Sequence, residues 1–181
     1  VPKEFLNILK LEDNQIKDGI YKEINATILF CDIRSYTTFS EKLTSDEIFT
    51  FINEYLNVMS PIITKHGGFI DKFIGDAIMA VFPYSKKNAI DCSIEMLDAL
   101  NTFNIEVQNK GYNRLSIGIG LDFGKVSIGF LGYENRLNAT VLSDTVNTSS
   151  RIESLCKSFS ASLLISENVL LGVDKIYNNR M

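Results

Sequence analysis

ATILFCDIRSYTTF, residues 26–39, decides the fold. Ala26 to Phe30 form a β-branched and aromatic run of the length that suits a fully buried strand. The run delivers Asp32 to the point where strand gives way to helix. An ionised carboxylate in a largely desolvated place is costly unless a cation or several hydrogen-bond donors meet it. Ser35, Tyr36, Thr37 and Thr38 follow before the next apolar positions, so the backbone N–H groups of a new helix can face an anion there. The strand end therefore suits a metal and a phosphate together. An aspartate that merely caps the next helix reads the same segment equally well.

Downstream, Thr44 and Glu47 make a capping box. Ile48, Ile52, Tyr55, Leu56, Met59 and Ile63 then recur at helical spacing, with Pro61 expected to kink or interrupt the helix. HGG at 66–68 ends it, and FIDKFIGDAIMAVFP, 69–83, reads as two strands joined by a tight turn at Gly75-Asp76. The second strand is too apolar to face solvent, which puts Asp76 at the mouth of the core. Two carboxylates at adjacent strand ends supply hard oxygen ligands for Mg2+ or Mn2+. Asp76 alone is also satisfied by a plain Gly-Asp turn.

An amphipathic helix is expected over 86–109, directing Ile90, Ile94, Leu97, Leu100, Phe103 and Val107 inward. In LSIGIGLD, 115–122, the alternate Ser116, Gly118 and Gly120 leave one strand face bare for close packing. DFGK, 122–125, reads as a turn into a further strand, VSIGFLGY. An irregular loop and short strand then enter the helix TVNTSSRIESLC, where Asn147 and Arg151 share a face one turn apart. That face is either a solvated surface or part of a site. LLIS and ENVLLG add a last strand and short helix. The order predicts an α+β fold with helices packed on a sheet.

Composition narrows the function. The 181 residues, 45 % hydrophobic and 22 % charged, match one soluble globular domain. A net charge of -4 gives no general affinity for nucleic acid or anionic lipid, so any phosphate site must be local. Cys31, Cys92 and Cys156 lack metal-ligand spacing and fit reduced thiols in a cytoplasmic compartment. His66 is the sole histidine, which leaves no basis for a triad or a histidine metal centre. No apolar run approaches a membrane span, and no signal peptide is recognisable. Residues 1–23 read as a lead-in from an upstream region of a longer protein, which is free to be membrane-tethered elsewhere, and 24–181 as the functional domain.

FCDIRSYTTFSE, GGFIDKFIGDAIMAVF and TVLSDTVNTSSRIE, in this order and spacing, resemble the catalytic domain of class III nucleotidyl cyclases on its bacterial adenylyl side. The resemblance covers most of residues 24–167 and implies a ferredoxin-like domain with a central, mostly antiparallel sheet. It implies that Asp32 and Asp76 carry two Mg2+ or Mn2+ ions with the Ile33 carbonyl as a further ligand. Residues 33–37, Thr37 among them, would cradle the β- and γ-phosphates. Lys72 and Thr140 fall at the base-reading positions and imply adenine, hence ATP; glutamate with cysteine there would imply guanine. Asn147 would orient the ribose, Arg151 would stabilise the phosphoryl transition state, and Arg136 would touch the triphosphate.

In such cyclases two domains pair head to tail, each site taking its metals from one and its base readers, asparagine and arginine from the other. One copy per chain implies a homodimer with two equivalent sites. Against the family pattern, Ser35 and Ser143 stand where glycine is usual, Ser149 where alanine is usual, and Asn138-Ala139 replaces an acidic-aromatic pair. The chain also stops at Met181, before the closing strands that carry a further phosphate-binding lysine; Lys175 lies too early to be that lysine. The competing functions are a guanylyl cyclase and a catalytically silent cyclase-like module that regulates a partner. HGGF is not the GGEEF-like signature of a diguanylate cyclase.

Overall fold

The computed structural model describes residues 3–12, 19–133 and 136–173. Its axis is β1, Tyr21–Ile33, flanked on one side by β3, Ala77–Pro83, and on the other by β4, Ile117–Tyr133, both antiparallel. The sheet continues outward to β2, Phe69–Ile74, beyond β3 and to β5, Arg136–Leu142, beyond β4, in the order β2-β3-β1-β4-β5. The short β6, Leu163–Ile165, adds a parallel pairing to β4. The helices are α1 (Lys3–Leu9), α2 (Tyr36–Ser40), α3 (Ser45–Lys65), α4 (Lys86–Asn109), α5 (Asp144–Ser158) and α6 (Glu167–Leu170). The α+β expectation, with a mostly antiparallel sheet, holds.

Strand alternation divides β1 between two cores. Leu29, Cys31 and Ile33 join Tyr55 and Met59 of α3 and Met96, Leu100 and Phe103 of α4. Ile24, Ala26, Ile28 and Phe30 face Met79, Val81, Val126, Ile128 and Val141. Phe5 of α1 completes this second core, fully buried and edge-on to Phe69 at 5.3 Å. Burying such a side chain is worth about 1.5–3 kcal/mol, so the lead-in is part of the packing and not only a link.

Two local expectations are corrected. DFGK is not a turn: β1 and β4 stay in register from Tyr21 opposite Gly129 to Ile33 opposite Ile117, so 115–133 holds one long strand where two were expected. Asp122 is no turn residue because its carboxylate is buried, accepting from Ser166 Oγ (2.5 Å) and Asn168 Nδ2 (3.5 Å) at the start of α6. Nor does Pro61 interrupt its helix, since α3 runs unbroken to Lys65 with Pro61 exposed. The predicted bounds of α4 and the Thr44–Glu47 capping box match the structure. His66 ends α3 and meets Glu95 at 2.7 Å, a structural role.

The bare face of β4 is filled by α5. A Cβ on Gly120 would come within 2.3 Å of Glu153 N and 2.5 Å of Ser149 O, so the helix lies where only glycine lets it. Ser149, buried at this contact, turns its hydroxyl to the carbonyls of Ile28 (2.7 Å) and Gly120 (3.0 Å), which explains how a serine is accommodated there. Ser143 caps α5, accepting from the Val146 N–H at 3.1 Å. Among the described residues no helix is long and apolar enough to cross a membrane.

Candidate active site

Asp32 lies one residue before the end of β1, and Asp76 in the turn between β2 and β3. The antiparallel pairing of β1 with β3 brings them together, and Asp76 Oδ2 accepts from the Ile33 N–H at 3.1 Å. The two carboxyl groups are close neighbours. Burial first, and then the hydrogen bond to and the like charge of Asp32, push Asp76 up to about 7, against the pull of backbone N–H groups. Two neighbouring carboxylates are a donor set that a hard divalent cation could use. Among the described residues no third histidine, cysteine, aspartate or glutamate joins them. An ion held there would take its remaining ligands from backbone, water or phosphate oxygens, as a hard ion that keeps several non-protein ligands does.

The segment after Asp32 is shaped for close approach. Ser35 takes φ 56° and ψ 30°, the left-handed region, at the position where glycine would be free of strain. Phe39 anchors α2 by packing against Phe51 (ring centroids 4.6 Å, tilted) and edge-on to Tyr112 (5.4 Å), leaving Thr37 and Thr38 exposed. Asp32, Ile33, Ser35 and Thr37 line a cleft of about 670 Å3.

Arg34, between the candidate ligand Ile33 and Ser35, also lines this cleft and reaches toward α5. Its guanidinium meets Glu153 Oε1 at 3.1 Å and the Glu153 carbonyl at 3.2 Å. Burial raises the Glu153 carboxyl while Arg34 pulls it back. Nothing in the local pattern of either segment points to this pair, which is separated by 119 residues. The tie does fix the loop after Asp32 to the helix that carries Asn147 and Arg151.

On α5 the sheet-facing stripe is Thr145, Ser149 and Glu153, so Asn147 and Arg151 point outward. Both are exposed, and among the described residues neither makes a hydrogen bond or ion pair. The outermost strands β2 and β5 meet elsewhere. There Lys72 Nζ donates to Thr140 Oγ1 at 3.1 Å, joining two residues 68 positions apart. Asp71 lies beside them, with Oδ2 3.2 Å from Lys72 Nζ. Arg136 begins β5, but its side chain lies outside the described residues, as does Lys175. The three cysteines are free and buried, and burial pushes Cys31 up to about 12, which leaves it an unreactive thiol.

Comparison with known proteins agrees with this layout. The family described as the adenylate and guanylate cyclase catalytic domain matches residues 20–175. An adenylate cyclase of Anabaena cylindrica is 42% identical over 94% of this chain and 35% of its own length. The terminal-differentiation-specific adenylate cyclase of Dictyostelium discoideum is 41% identical over 92% of this chain and 8% of its own. The chain thus spans about a third or less of these two relatives. Among solved structures, the adenylyl cyclase CyaB from P. aeruginosa superposes with a TM-score of 0.78 at 30% identity, covering 86% of this chain and 83% of that one. The guanylyl cyclase Cya2 gives 0.74 at 34% identity, covering 82% and 78%. With paired carboxylates at the β1 end, the exposed Asn147 and Arg151 on α5, and a matching fold throughout, the chain belongs to the adenylate and guanylate cyclase catalytic domain family, the class III cyclases.

Proposed function

We propose that this domain is an adenylyl cyclase, converting ATP to 3',5'-cyclic AMP and pyrophosphate at sites shared between two copies of the chain. The observation that carries the choice of nucleotide is the hydrogen bond between Lys72 and Thr140. An ammonium donates and cannot accept, which suits adenine N1. The Thr140 hydroxyl keeps a second lone pair for N6-H. Guanine carries a proton on N1 and would face a donor.

Asp32 and Asp76, with the Ile33 carbonyl, are the residues that would hold two Mg2+ or Mn2+ ions. When bound, these supply charge neutralisation and acidify the ribose 3'-hydroxyl for attack on the α-phosphorus. The loop from Ile33 to Thr37 receives the phosphates. Asn147 orients the ribose, Arg151 offsets the charge that develops on the phosphoryl group, and Arg136 contacts the triphosphate.

Lys72 and Asp76 sit on one hairpin yet engage different strands, Thr140 of β5 and Ile33 of β1. Asn147 and Arg151 face away from their own sheet. A second copy, arranged head to tail, brings the missing half of each site. The exposed Phe73, Ile74, Leu131 and Leu142 on the strands give such a copy apolar surface to cover.

Purified chain incubated with ATP or GTP in Mg2+ or Mn2+ tests the reading directly. Cyclic AMP is expected in preference to cyclic GMP by roughly 10²-fold or more, since a base site built from donors and acceptors rejects the wrong pattern. Lys72→Glu with Thr140→Cys should erode that preference, because a carboxylate accepts from guanine N1-H. GTP turnover by the unaltered chain equal to that of ATP would refute the assignment of the base readers.

Metal binding carries its own pH signature. The raised Asp76 carboxyl stays protonated in the fold at pH values where it has ionised in the unfolded chain. Without a cation, its contribution to stability is therefore full below about pH 4, declines as pH climbs, and is lost by about pH 7. A divalent ion displaces that proton, so its stabilisation of the fold should grow with pH across this window. Thermal midpoints with and without Mg2+, measured from about pH 5 to about pH 8, should diverge progressively, and Asp76→Asn should abolish the divergence. An increment independent of pH would locate the ion elsewhere.

A further inference from the structure

Asp71 is a buried carboxylate set directly beside the Lys72–Thr140 pair. Its side chain is wholly shielded from solvent, and neither oxygen has a hydrogen-bond partner of good geometry. Two groups face it, the Lys72 ammonium at 3.2 Å and the backbone N–H of Val141, the residue after Thr140. Burial raises the carboxyl, and these two neighbours pull it back toward the charged form. Burying a carboxylate so incompletely paired costs stability, so a fold that does it invites a functional explanation.

The backbone shows how the arrangement is reached. Pairing between β2 and β3 shifts register between Ile70 and Lys72, which makes Asp71 the extra residue of a β-bulge. In a regular strand, neighbours point to opposite faces. A bulge re-aims a side chain, and here it lets the Asp71 carboxylate reach the ammonium of the next residue. One carboxylate thus sits 3.2 Å from the Lys72 ammonium and faces the peptide that follows Thr140 in β5.

We propose that Asp71 is a positioning residue for nucleobase choice, holding Lys72 and the Thr140 segment of β5 in the one arrangement that reads adenine. Lys72 has three N–H donors. Thr140 accepts one, and the ion pair with Asp71 holds the ammonium in place, so that a remaining N–H is aimed at the ring nitrogen of the base. Without Asp71 the ammonium is free to swing about its stem, and discrimination falls while the fold persists. The proposal rests on the reading of Lys72 and Thr140 as base contacts.

The test compares the unaltered full chain with Asp71→Asn, Lys72→Met and the double variant. Two quantities are read in each: turnover of ATP and GTP, and affinity for 3'-deoxy-ATP and 3'-deoxy-GTP, which bind but lack the attacking hydroxyl. Asp71→Asn should lower the preference for the adenine nucleotide by about tenfold, and Lys72→Met by at least as much. In the Lys72→Met background Asp71→Asn should add nothing, because its effect passes through that ammonium. Equal loss of affinity for both nucleotides in Asp71→Asn, or effects that multiply independently in the double variant, would overturn the proposal and leave Asp71 a merely structural residue. Erosion by Lys72→Met without erosion by Asp71→Asn would remove Asp71 alone. An unchanged preference in Lys72→Met would remove the base-reader assignment and the role of Asp71 with it. If Asp71→Asn does not fold, Asp71→Glu, with its charge one methylene out of place, should still cut the preference, and an unchanged preference there overturns the proposal.

Discussion

Asp32→Ala is expected to lower cyclic AMP formation by about 10³-fold or more, and Asp76→Ala to do the same, while the folded domain persists. Removing one preorganised group that stabilises transition-state charge costs about 10²–10³ in rate, and on the proposed reading each of these carboxylates would hold the ions that do so for the whole reaction. Neither substitution excavates a core, since both side chains are only partly buried at the strand ends. Asp76→Ala leaves the Ile33 N–H without its acceptor, a cost of about 1 kcal/mol, but it also relieves the crowding of two carboxyls. Circular dichroism and thermal midpoint should therefore stay near those of the unaltered chain while turnover collapses. Near-normal activity in either variant, with unchanged dependence on divalent ion, would sink the metal assignment.

The carboxylate pair was legible in the sequence because each half follows a local rule. A buried β-branched run ending on Asp32, and a Gly-Asp turn ahead of an apolar strand, both put a charge where burial makes it costly. The helices were legible too where capping and apolar spacing agreed, as at Thr44 and over Lys86–Asn109. What the sequence hid was settled by contacts between distant segments. Asp122 looked like part of a turn only because the groups that satisfy it, Ser166 and Asn168, lie more than 40 positions on. The Arg34–Glu153 tie has no local signature at all. The nearness of Lys72 and Thr140 was implied by family resemblance alone, since it needs the two outermost strands of the sheet order to touch. The bulge at Asp71 was missed because one extra residue merely breaks the alternation of a short strand, which is how many irregular strands read.

Mixing two inactive variants should restore activity, which makes the shared site testable without a structure of the pair. Arg151→Ala removes a charge of the kind whose supply to a phosphoryl transition state is worth about 10³–10⁵, so like Asp32→Ala it should silence a homodimer at both sites. In a mixed dimer the two lesions segregate unevenly. The Asp32→Ala subunit spoils the metal half of one site, and the Arg151→Ala subunit, whose α5 serves that same site, spoils its other half. The second site receives an intact carboxylate pair from one subunit and an intact Arg151 from the other. Equal mixing with free exchange makes about half of the dimers mixed, each with one working site of two, so activity should recover to about a quarter of that of the unaltered chain. Co-expression of the two variants with different affinity tags, followed by tandem purification, isolates the mixed species, whose activity should be about half. Mixed dimers that stay as inactive as their parents would mean that Asp32 and Arg151 serve a site within one subunit. The outward-facing, unpartnered position of Arg151 on α5 argues for the opposite result.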